Sequence, residues 1–274
     1  MSIKLIAMDL DGTLLNSDKH VSQRSLRALE AAKARGVAVT IATGRMYNSA
    51  EYFGELIGAN APLICCNGGV VRSMGAEAPV FARYFPPALV ERFLPYVHEH
   101  GWYTQWYIGK EILAEKYLPE YFYVYRTVKD FTVRELGTDF LAKTAVDEVI
   151  QFVVRDLAGN IGAITQQILQ EFGDAVRALP NTGTSVDLVP PGISKAVGLE
   201  ALMKHLGLQR HEVMACGDAE NDFEMLEFAG TSVVPANGLP EAKERATYHA
   251  VSCDEDGIAR AIEELVLGEV HPDR

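Results

Sequence analysis

The sequence predicts a protein of the α/β class on three observations. The N-terminal part alternates short apolar runs, typical of buried strands, with an amphipathic segment of helical length. The same alternation returns after residue 192. The segment between them differs in composition, because 14 of the 24 aromatic residues lie between Tyr84 and Phe131. We therefore expect an α/β unit built from both ends of the chain, with an α+β segment inserted between them.

Apolar runs and helix-capping residues give the individual elements. Ser22 is a good N-cap for the first helix and Gly36 a good end for it, while Ser194 and Gly207 bound a later helix in the same way. The predicted strands span 3–8, 37–42, 62–66, 102–108, 111–115, 149–155, 175–179, 185–189, 213–216, 231–234 and 249–252. The predicted helices span 22–36, the residues before 58, 87–100, 161–172 and 194–207, with further helices after 238 and 256.

Composition excludes several classes of partner. The chain has 25 Lys and Arg against 37 Asp and Glu, and its net charge of -12 argues against nucleic acid or an anionic membrane surface. No apolar run approaches the ~20 residues of a membrane span, and no secretion signal is recognisable, so we expect a cytoplasmic protein. The four cysteines lack CxxC spacing, which favours buried, reduced thiols. The oligomeric state stays open.

Two carboxylates follow the first apolar run. Asp9 and Asp11 stand where the predicted strand gives way to Gly12. Residues two apart on an extended backbone point the same way, so their charges would repel each other unless a cation lies near. Mg²⁺ suits such a place, because it binds one or two carboxylates together with waters and a substrate phosphate. An ordinary strand with an Asp-Gly turn is the alternative interpretation.

Two other segments predict an anion site. Thr43, Gly44 and Arg45 lie between a predicted strand and a helix, where a hydroxyl, a flexible backbone and a guanidinium can surround a phosphate. Lys195 lies in the first turn of a helix, where the helix dipole disfavours a cation unless an anion is near. The alternatives are an ordinary turn and a solvated surface lysine.

A third polar group follows the strand over 213–216. If a helix begins there, Asp218, Asn221 and Asp222 lie on one face at its N-terminus. Capping of the helix explains one such residue but not three.

These segments occur in a fixed order: DLDGT over 9–13, TGR over 43–45, Lys195, and GDxxND over 217–222. Together they resemble the haloacid dehalogenase superfamily of phosphotransferases, and closely its Cof-like subgroup with a type IIB cap. The resemblance implies a Rossmann-like parallel-sheet core with helices on both faces, formed by residues 1–82 and 191–274, and an inserted α+β cap domain over 83–190. The chain departs from the family pattern at Ala196, at 235–238, and at 65–66 before Asn67.

The resemblance also implies roles. Asp9 would attack phosphorus and form an aspartyl-phosphate, and Asp11 would protonate the leaving oxygen and then activate water. The Asp9 side chain, the Asp11 backbone carbonyl and Asp218 would bind Mg²⁺, supported by Asp222. Thr43 and Lys195 would bind phosphoryl oxygens. The other residues assigned to substrate binding are Gly44, Arg45, Asn67 and Asn221.

The expected activity is that of a Mg²⁺-dependent phosphatase for small phosphorylated metabolites. Sugar phosphates are the first candidate substrates, and flavin mononucleotide and pyridoxal phosphate are alternatives. A phosphomutase of the same superfamily or a phospho-accepting signalling domain would carry similar residues. Release of inorganic phosphate separates the phosphatase from the mutase, whereas a lasting aspartyl-phosphate without turnover would favour the signalling domain.

Overall fold

The computed structural model describes residues 2–125, 132–181 and 183–269. Phe131, which ends the predicted aromatic segment, and the chain ends at residues 1 and 270–274 lie outside this part. The strands are β1 (Leu5–Met8), β2 (Ala38–Ile41), β3 (Leu63–Cys65), β4 (Val70–Arg72), β5 (Phe81–Ala82), β6 (Tyr103–Ile108), β7 (Glu111–Ala114), β8 (Val133–Glu135), β9 (Val149–Arg155), β10 (Arg177–Pro180), β11 (Ser185–Val189), β12 (Val213–Cys216), β13 (Thr231–Pro235) and β14 (Tyr248–Ala250). The α-helices are α1 (Gln23–Ala34), α2 (Tyr47–Ile57), α3 (Pro87–Glu99), α4 (Phe140–Lys143), α5 (Ile161–Phe172), α6 (Lys195–Leu206), α7 (Phe223–Phe228), α8 (Pro240–Lys243) and α9 (Gly257–Ile262).

Five strands form a parallel sheet in the order β14-β13-β12-β1-β2. β1 lies between β12 and β2, and its last residue, Met8, is paired with Cys216 on one side and with Ile41 on the other. The carboxyl ends of these three strands therefore meet at one edge of the sheet, which is where ligands bind in sheets of this kind.

Helices cover both faces of this parallel sheet. Ile6 and Met8 pack in a hydrophobic cluster with residues of α1 and α9, whereas Leu5 and Ala7 pack in another with residues of α6 and α7. All four side chains are fully buried. Side chains that alternate between two buried faces explain why this strand is apolar throughout. The predicted α/β class with a Rossmann-like core is confirmed.

A second sheet has six strands in the order β10-β11-β9-β6-β7-β8. The predicted hairpin is present as β6 and β7. One face packs against α3 and α5, where Phe93 and Phe172 contact each other and Phe93 also contacts Phe152 of β9. From the other face, Tyr107 and Val153 join the hydrophobic cluster that contains Ile6 of β1. The inner face of the six-stranded sheet thus lies against the parallel-sheet region.

Two smaller features complete the fold. β3, β4 and β5 form a short antiparallel sheet, which a single bridge between Ala42 and Ile64 connects to the end of β2. No helix within the described residues is both long and apolar enough to cross a bilayer.

Candidate active site

The ends of β1, β2 and β12 bring the separate sequence motifs together. Asp9 follows β1, and its N–H donates to the Cys216 carbonyl at 2.9 Å, which places it beside the start of the GDxxND segment. Thr43 follows β2, and its N–H donates to the Ile64 carbonyl at 2.9 Å. Lys195 is the first residue of α6. Parallel strands therefore bring residues that are far apart in the sequence to one edge of the sheet.

Lys195 is the central cation of the site. Its side chain is completely buried, and its ammonium donates to Oδ1 of Asp9 and to Oδ1 of Asp222, each at 2.7 Å. Burial by itself lowers the pKa of Lys195, but the two carboxylates raise it above its ordinary value, so the ammonium is charged. The expectation of an anion near this lysine is confirmed, and the alternative of a solvated surface lysine is wrong.

Asp222 supports this arrangement from inside the protein. It is fully buried, and Oδ2 accepts hydrogen bonds from the backbone N–H groups of Asp218 and Ala219 at 3.0 and 3.1 Å. Since Oδ1 binds Lys195, both oxygens of Asp222 are occupied by groups of the chain itself. Asp222 therefore holds the GDxxND loop and Lys195 in place.

Asp218 lies beside the DLDGT turn. Its Oδ1 accepts a hydrogen bond of 2.7 Å from the hydroxyl of Thr13, a buried residue. Gly12 has a φ of 82°, and a Cβ atom there would collide with the Asp218 carboxylate. Glycine is thus required for both the turn and the close approach. Burial raises the pKa of Asp218 to about 6, against the lowering effect of Thr13.

Asp9, Asp218 and Asp222 form an acidic cluster in which one oxygen from each lies within 4.8 Å of the others. Burial raises the pKa of Asp9, and Asp222 and Asp218 raise it further, although Lys195 lowers it. Among the described residues, Oδ2 of Asp9 and Oδ2 of Asp218 have no hydrogen-bond partner. Two available carboxylate oxygens from separate loops fit Mg²⁺, which keeps several waters when it binds a protein.

The Asp11 side chain is paired with cations of its own. The charge of Asp11 raises the pKa of Asp9, as the expected repulsion between the two carboxylates implies. Arg45 donates to both oxygens of Asp11 at 2.8 and 2.9 Å, and Lys19 donates at 2.9 Å. Burial would raise the pKa of Asp11, but these two cations hold it at about 2.

The TGR segment contains a backbone N–H group, that of Gly44, which is available to bind a ligand. The buried Thr43 hydroxyl accepts a hydrogen bond of 3.2 Å from the Arg45 N–H, and the Gly44 N–H has no acceptor within the described ranges. The Arg45 guanidinium binds Asp11 and the Ser49 hydroxyl. Thr43 and Gly44 thus follow β2 as predicted, and the phosphate- or substrate-binding roles of Thr43, Gly44 and Arg45 stay predictions.

Asn67 connects the parallel-sheet region to the six-stranded sheet. It is fully buried with a φ of 53°, a left-handed conformation that asparagine tolerates better than most residues. Its Nδ2 donates to Oδ2 of Asp187 at 2.9 Å, and its Oδ1 accepts from Nδ2 of Asn221 at 3.0 Å. A Cβ atom on Gly44 would lie 3.0 Å from Asn67 and 3.2 Å from Asp187. Asp187 therefore lies directly beside the TGR loop.

Sequence reasoning missed three residues of this site. Asp187 and Gln151 are buried on β11 and β9, and Gln151 donates to the Gly44 carbonyl at 3.3 Å. Burial raises the pKa of Asp187 to about 6. Asn237 donates to the Gly12 carbonyl at 2.7 Å. Asn237 lies in the segment 235–238 that is singled out from the sequence, and this segment was the available signal.

The other departures lie close to the site without adding a charge. Ala196 is the second residue of α6. Cys65 and Cys66 are buried, and burial raises the pKa of both thiols. Cys216 is buried as well, and Cys253 is partly buried. These four cysteines are free, as predicted.

Comparison with known proteins supports the resemblance. The sequence profile of the haloacid dehalogenase-like hydrolases matches residues 6–262. A candidate phosphatase of Streptococcus pyogenes is 34% identical, with 97% of this chain and 100% of that protein aligned. The 5-amino-6-(5-phospho-D-ribitylamino)uracil phosphatase YitU of Bacillus subtilis is 28% identical over 95% of this chain and 96% of its own length.

The fold agrees with that of a solved relative. The crystal structure of a haloacid dehalogenase-like hydrolase from Bacteroides thetaiotaomicron superimposes with a TM-score of 0.87 and 28% identity, covering 96% of this chain and 99% of that one. The profile match extends over most of the chain and includes all four motifs. The chain therefore belongs to the haloacid dehalogenase-like hydrolase family.

Proposed function

We propose that this protein is a Mg²⁺-dependent phosphatase that hydrolyses small phosphorylated metabolites through an aspartyl-phosphate on Asp9. Its assignment as a phosphoric monoester hydrolase follows from the family and from relatives named as phosphatases. The observation that carries the mechanism is the buried Lys195 ammonium, which binds Asp9 and Asp222 beside Asp218. A carboxylate held by a cation at the edge of a parallel sheet is suited to attack an electrophilic phosphorus.

In this proposal, three groups of the chain bind a phosphoryl group next to Asp9. They are the Thr43 hydroxyl, the Gly44 N–H and the Lys195 ammonium, and we call them, with Asp9 and Asp218, the phosphoryl site. Donors fixed in position before the reaction stabilise charge on the phosphoryl oxygens without reorganisation. Oδ2 of Asp9 and Oδ2 of Asp218 would hold Mg²⁺. The bound ion supplies positive charge that keeps Asp9 ionised and offsets phosphoryl charge.

Asp11 has the acid and base roles in this proposal. Arg45 and Lys19 keep it ionised, with a pKa of about 2, so it must separate from Arg45 before it can carry a proton to the leaving oxygen. Once it has given up that proton, it is ready to accept one from the water that attacks the aspartyl-phosphate.

We also propose that residues 83–190 form a cap that contacts the leaving group. Asp187, carried on β11, is bonded to Asn67 and lies beside Gly44, so it is well placed to accept a hydrogen bond from a substrate hydroxyl. This supports sugar phosphates as the first substrate class. The phosphoribityl substrate named for the Bacillus subtilis relative also carries hydroxyl groups and supports the same class.

The test is a turnover screen of phosphate monoesters that measures released inorganic phosphate. We expect turnover with Mg²⁺, none after chelation, and recovery when Mg²⁺ is added back. Ca²⁺ should substitute poorly, because it is larger and accepts irregular coordination. Full activity of metal-stripped protein would contradict the metal role. Transfer of the phosphoryl group to a second hydroxyl without release of phosphate would identify a mutase instead.

A further inference from the structure

The region of the six-stranded sheet contains a cavity of about 410 Å³. The described residues that line it lie between positions 94 and 164, so none belongs to the phosphoryl site. A volume of this size is in the range of small-molecule sites. Its aromatic lining residues are Trp102, Tyr103, Trp106, Tyr121 and Phe140.

Arg155 is the unusual residue of this cavity. It is only 5% exposed, and its Nε is buried with no hydrogen-bond acceptor among the described residues. No carboxylate in this part of the chain lies within ion-pair distance of its guanidinium, and Asp187 attracts it only at longer range. A buried guanidinium ordinarily has an anion beside it, because an unpaired charge is costly to bury.

The polar groups of the wall favour a ligand that accepts hydrogen bonds. The wall carboxylates already have partners, since Glu115 binds His98 at 2.8 Å and Asp156 accepts from the Asn160 N–H at 2.6 Å. Trp106 supplies a second buried donor, Nε1, that lacks an acceptor in the described structure. Two buried donors without acceptors in the described part of the chain, Nε of Arg155 and Nε1 of Trp106, therefore favour a ligand that accepts hydrogen bonds.

The strand register places the aromatic rings relative to Arg155. Tyr103 is paired with Arg155 across β6 and β9, so both lie on one face of the sheet, and the Tyr103 ring stacks on Tyr121 with centroids 4.2 Å apart. Trp106 is paired with Phe152 and lies on the opposite face. Residues of both faces line the cavity, and Tyr103 and Arg155 are the first residue of β6 and the last of β9.

We propose that this cavity binds an aromatic carboxylate, with its carboxylate on Arg155 and its ring against Tyr103 and Tyr121. A guanidinium can form two parallel hydrogen bonds with one carboxylate, which gives both affinity and orientation. The site is separate from the phosphoryl site, and its ligand is not the phosphorylated substrate. This proposal goes beyond the proposed function and does not depend on it.

The two tryptophans of the chain, Trp102 and Trp106, both line the cavity, so their indole N–H signals in a nitrogen-15 NMR spectrum report on it directly. The Trp102→Phe variant assigns the two signals. Titration of the wild-type protein with cinnamate should shift the Trp106 signal saturably. Cinnamyl alcohol, which has the same skeleton without the charge, should bind at least about ten-fold more weakly.

Two variants test whether Arg155 is the residue that makes binding depend on the charge of the ligand. Arg155→Met should weaken cinnamate binding about ten-fold and leave cinnamyl alcohol binding unchanged. Arg92→Met, which removes an exposed arginine of α3 outside the cavity, should change neither affinity. If circular dichroism shows that Arg155→Met is not folded, the affinities of cinnamate and cinnamyl alcohol for the wild-type protein show whether binding depends on the carboxylate.

The proposal is wrong if cinnamate causes no saturable shift of either indole signal at millimolar concentration. It is equally wrong if cinnamate and its alcohol bind alike, or if folded Arg155→Met binds cinnamate as the wild type does. Because these titrations require no turnover, their failure would leave the phosphatase proposal intact. A failed turnover screen would likewise leave this site untouched.

Discussion

The parallel-sheet region and the six-stranded sheet differ in whether their buried charged side chains form ion pairs. In the first, Lys195 lies between Asp9 and Asp222 at 2.7 Å from each. In the second, Arg155 and Asp187 are 5% and 4% exposed, and neither forms an ion pair within the described residues. The buried cation of the first region is paired with carboxylates of the chain itself, which suits a fixed chemical step. The second leaves two buried charges without ion pairs among the described residues, and we propose that Asp187 contacts the substrate and that Arg155 binds the ligand of the separate cavity.

The largest effect should come from removal of the nucleophile. We expect Asp9→Asn to remain folded and to lose several orders of magnitude in kcat/KM, because an amide cannot attack phosphorus. Asp18→Asn, which changes an exposed aspartate nearby, should keep wild-type activity. Steady-state phosphate release measures both variants. Near-normal turnover by Asp9→Asn would show that Asp9 is not the nucleophile. The parallel-sheet region could then no longer be distinguished from the six-stranded sheet as the place of the chemical step.

The next effect concerns stability. Lys195→Met should lower the free energy of unfolding by about 3–5 kcal/mol, because it leaves Asp9 and Asp222 buried without their cation. Lys204→Met is the matched control on α6, since its side chain is 74% exposed and its pair with Glu200 contributes about 0.5 kcal/mol or less. Denaturant titrations in the presence of a chelator measure both. Equal decreases in the free energy of unfolding would show that the buried ion pairs of Lys195 stabilise the protein no more than the exposed pair of Lys204.

The smallest effect is on the titration of Asp11. Its pKa is lowered to about 2 in the folded protein, so its contribution to stability is present above its ordinary pKa and is lost as the pH falls through about 2. Arg45→Met should raise the pKa of Asp11 by about one to two units. Lys19→Met should raise it less, because the Lys19 side chain is 48% exposed. NMR titration of the side-chain carboxyl carbon measures all three proteins. An unchanged pKa in Arg45→Met would show that Arg45 does not hold Asp11.

The two regions also differ in how far the sequence predicts them. Asp9, Thr43, Lys195 and Asp218 lie at strand or helix ends, and local spacing identifies such positions. Parallel pairing then brings those ends together. The ion pair of Asp11 with Arg45 was not predictable, because the two residues are 34 positions apart in the sequence.

Asp187, Gln151 and Arg155 could not be found from the sequence. They lie within strands, where alternation separates the two faces but does not tell which face will meet another sheet. The register of β11, β9 and β6 brings them together, and the contact of Asp187 with Asn67 spans 120 positions of the chain. The helix over 161–172 was predicted with its observed bounds, because its apolar periodicity is local.

The central claim is that the chemistry takes place at Asp9 of the parallel-sheet region, and a trapped intermediate tests it most directly. Asp11→Asn should slow hydrolysis of the aspartyl-phosphate, because it removes the proposed base. We would mix this variant with an activated aryl phosphate and Mg²⁺, quench in acid, reduce with borohydride and map the product by peptide mass spectrometry. The account predicts conversion of Asp9 to homoserine. Modification of a different residue, or no modification in a variant that still turns over, would contradict it.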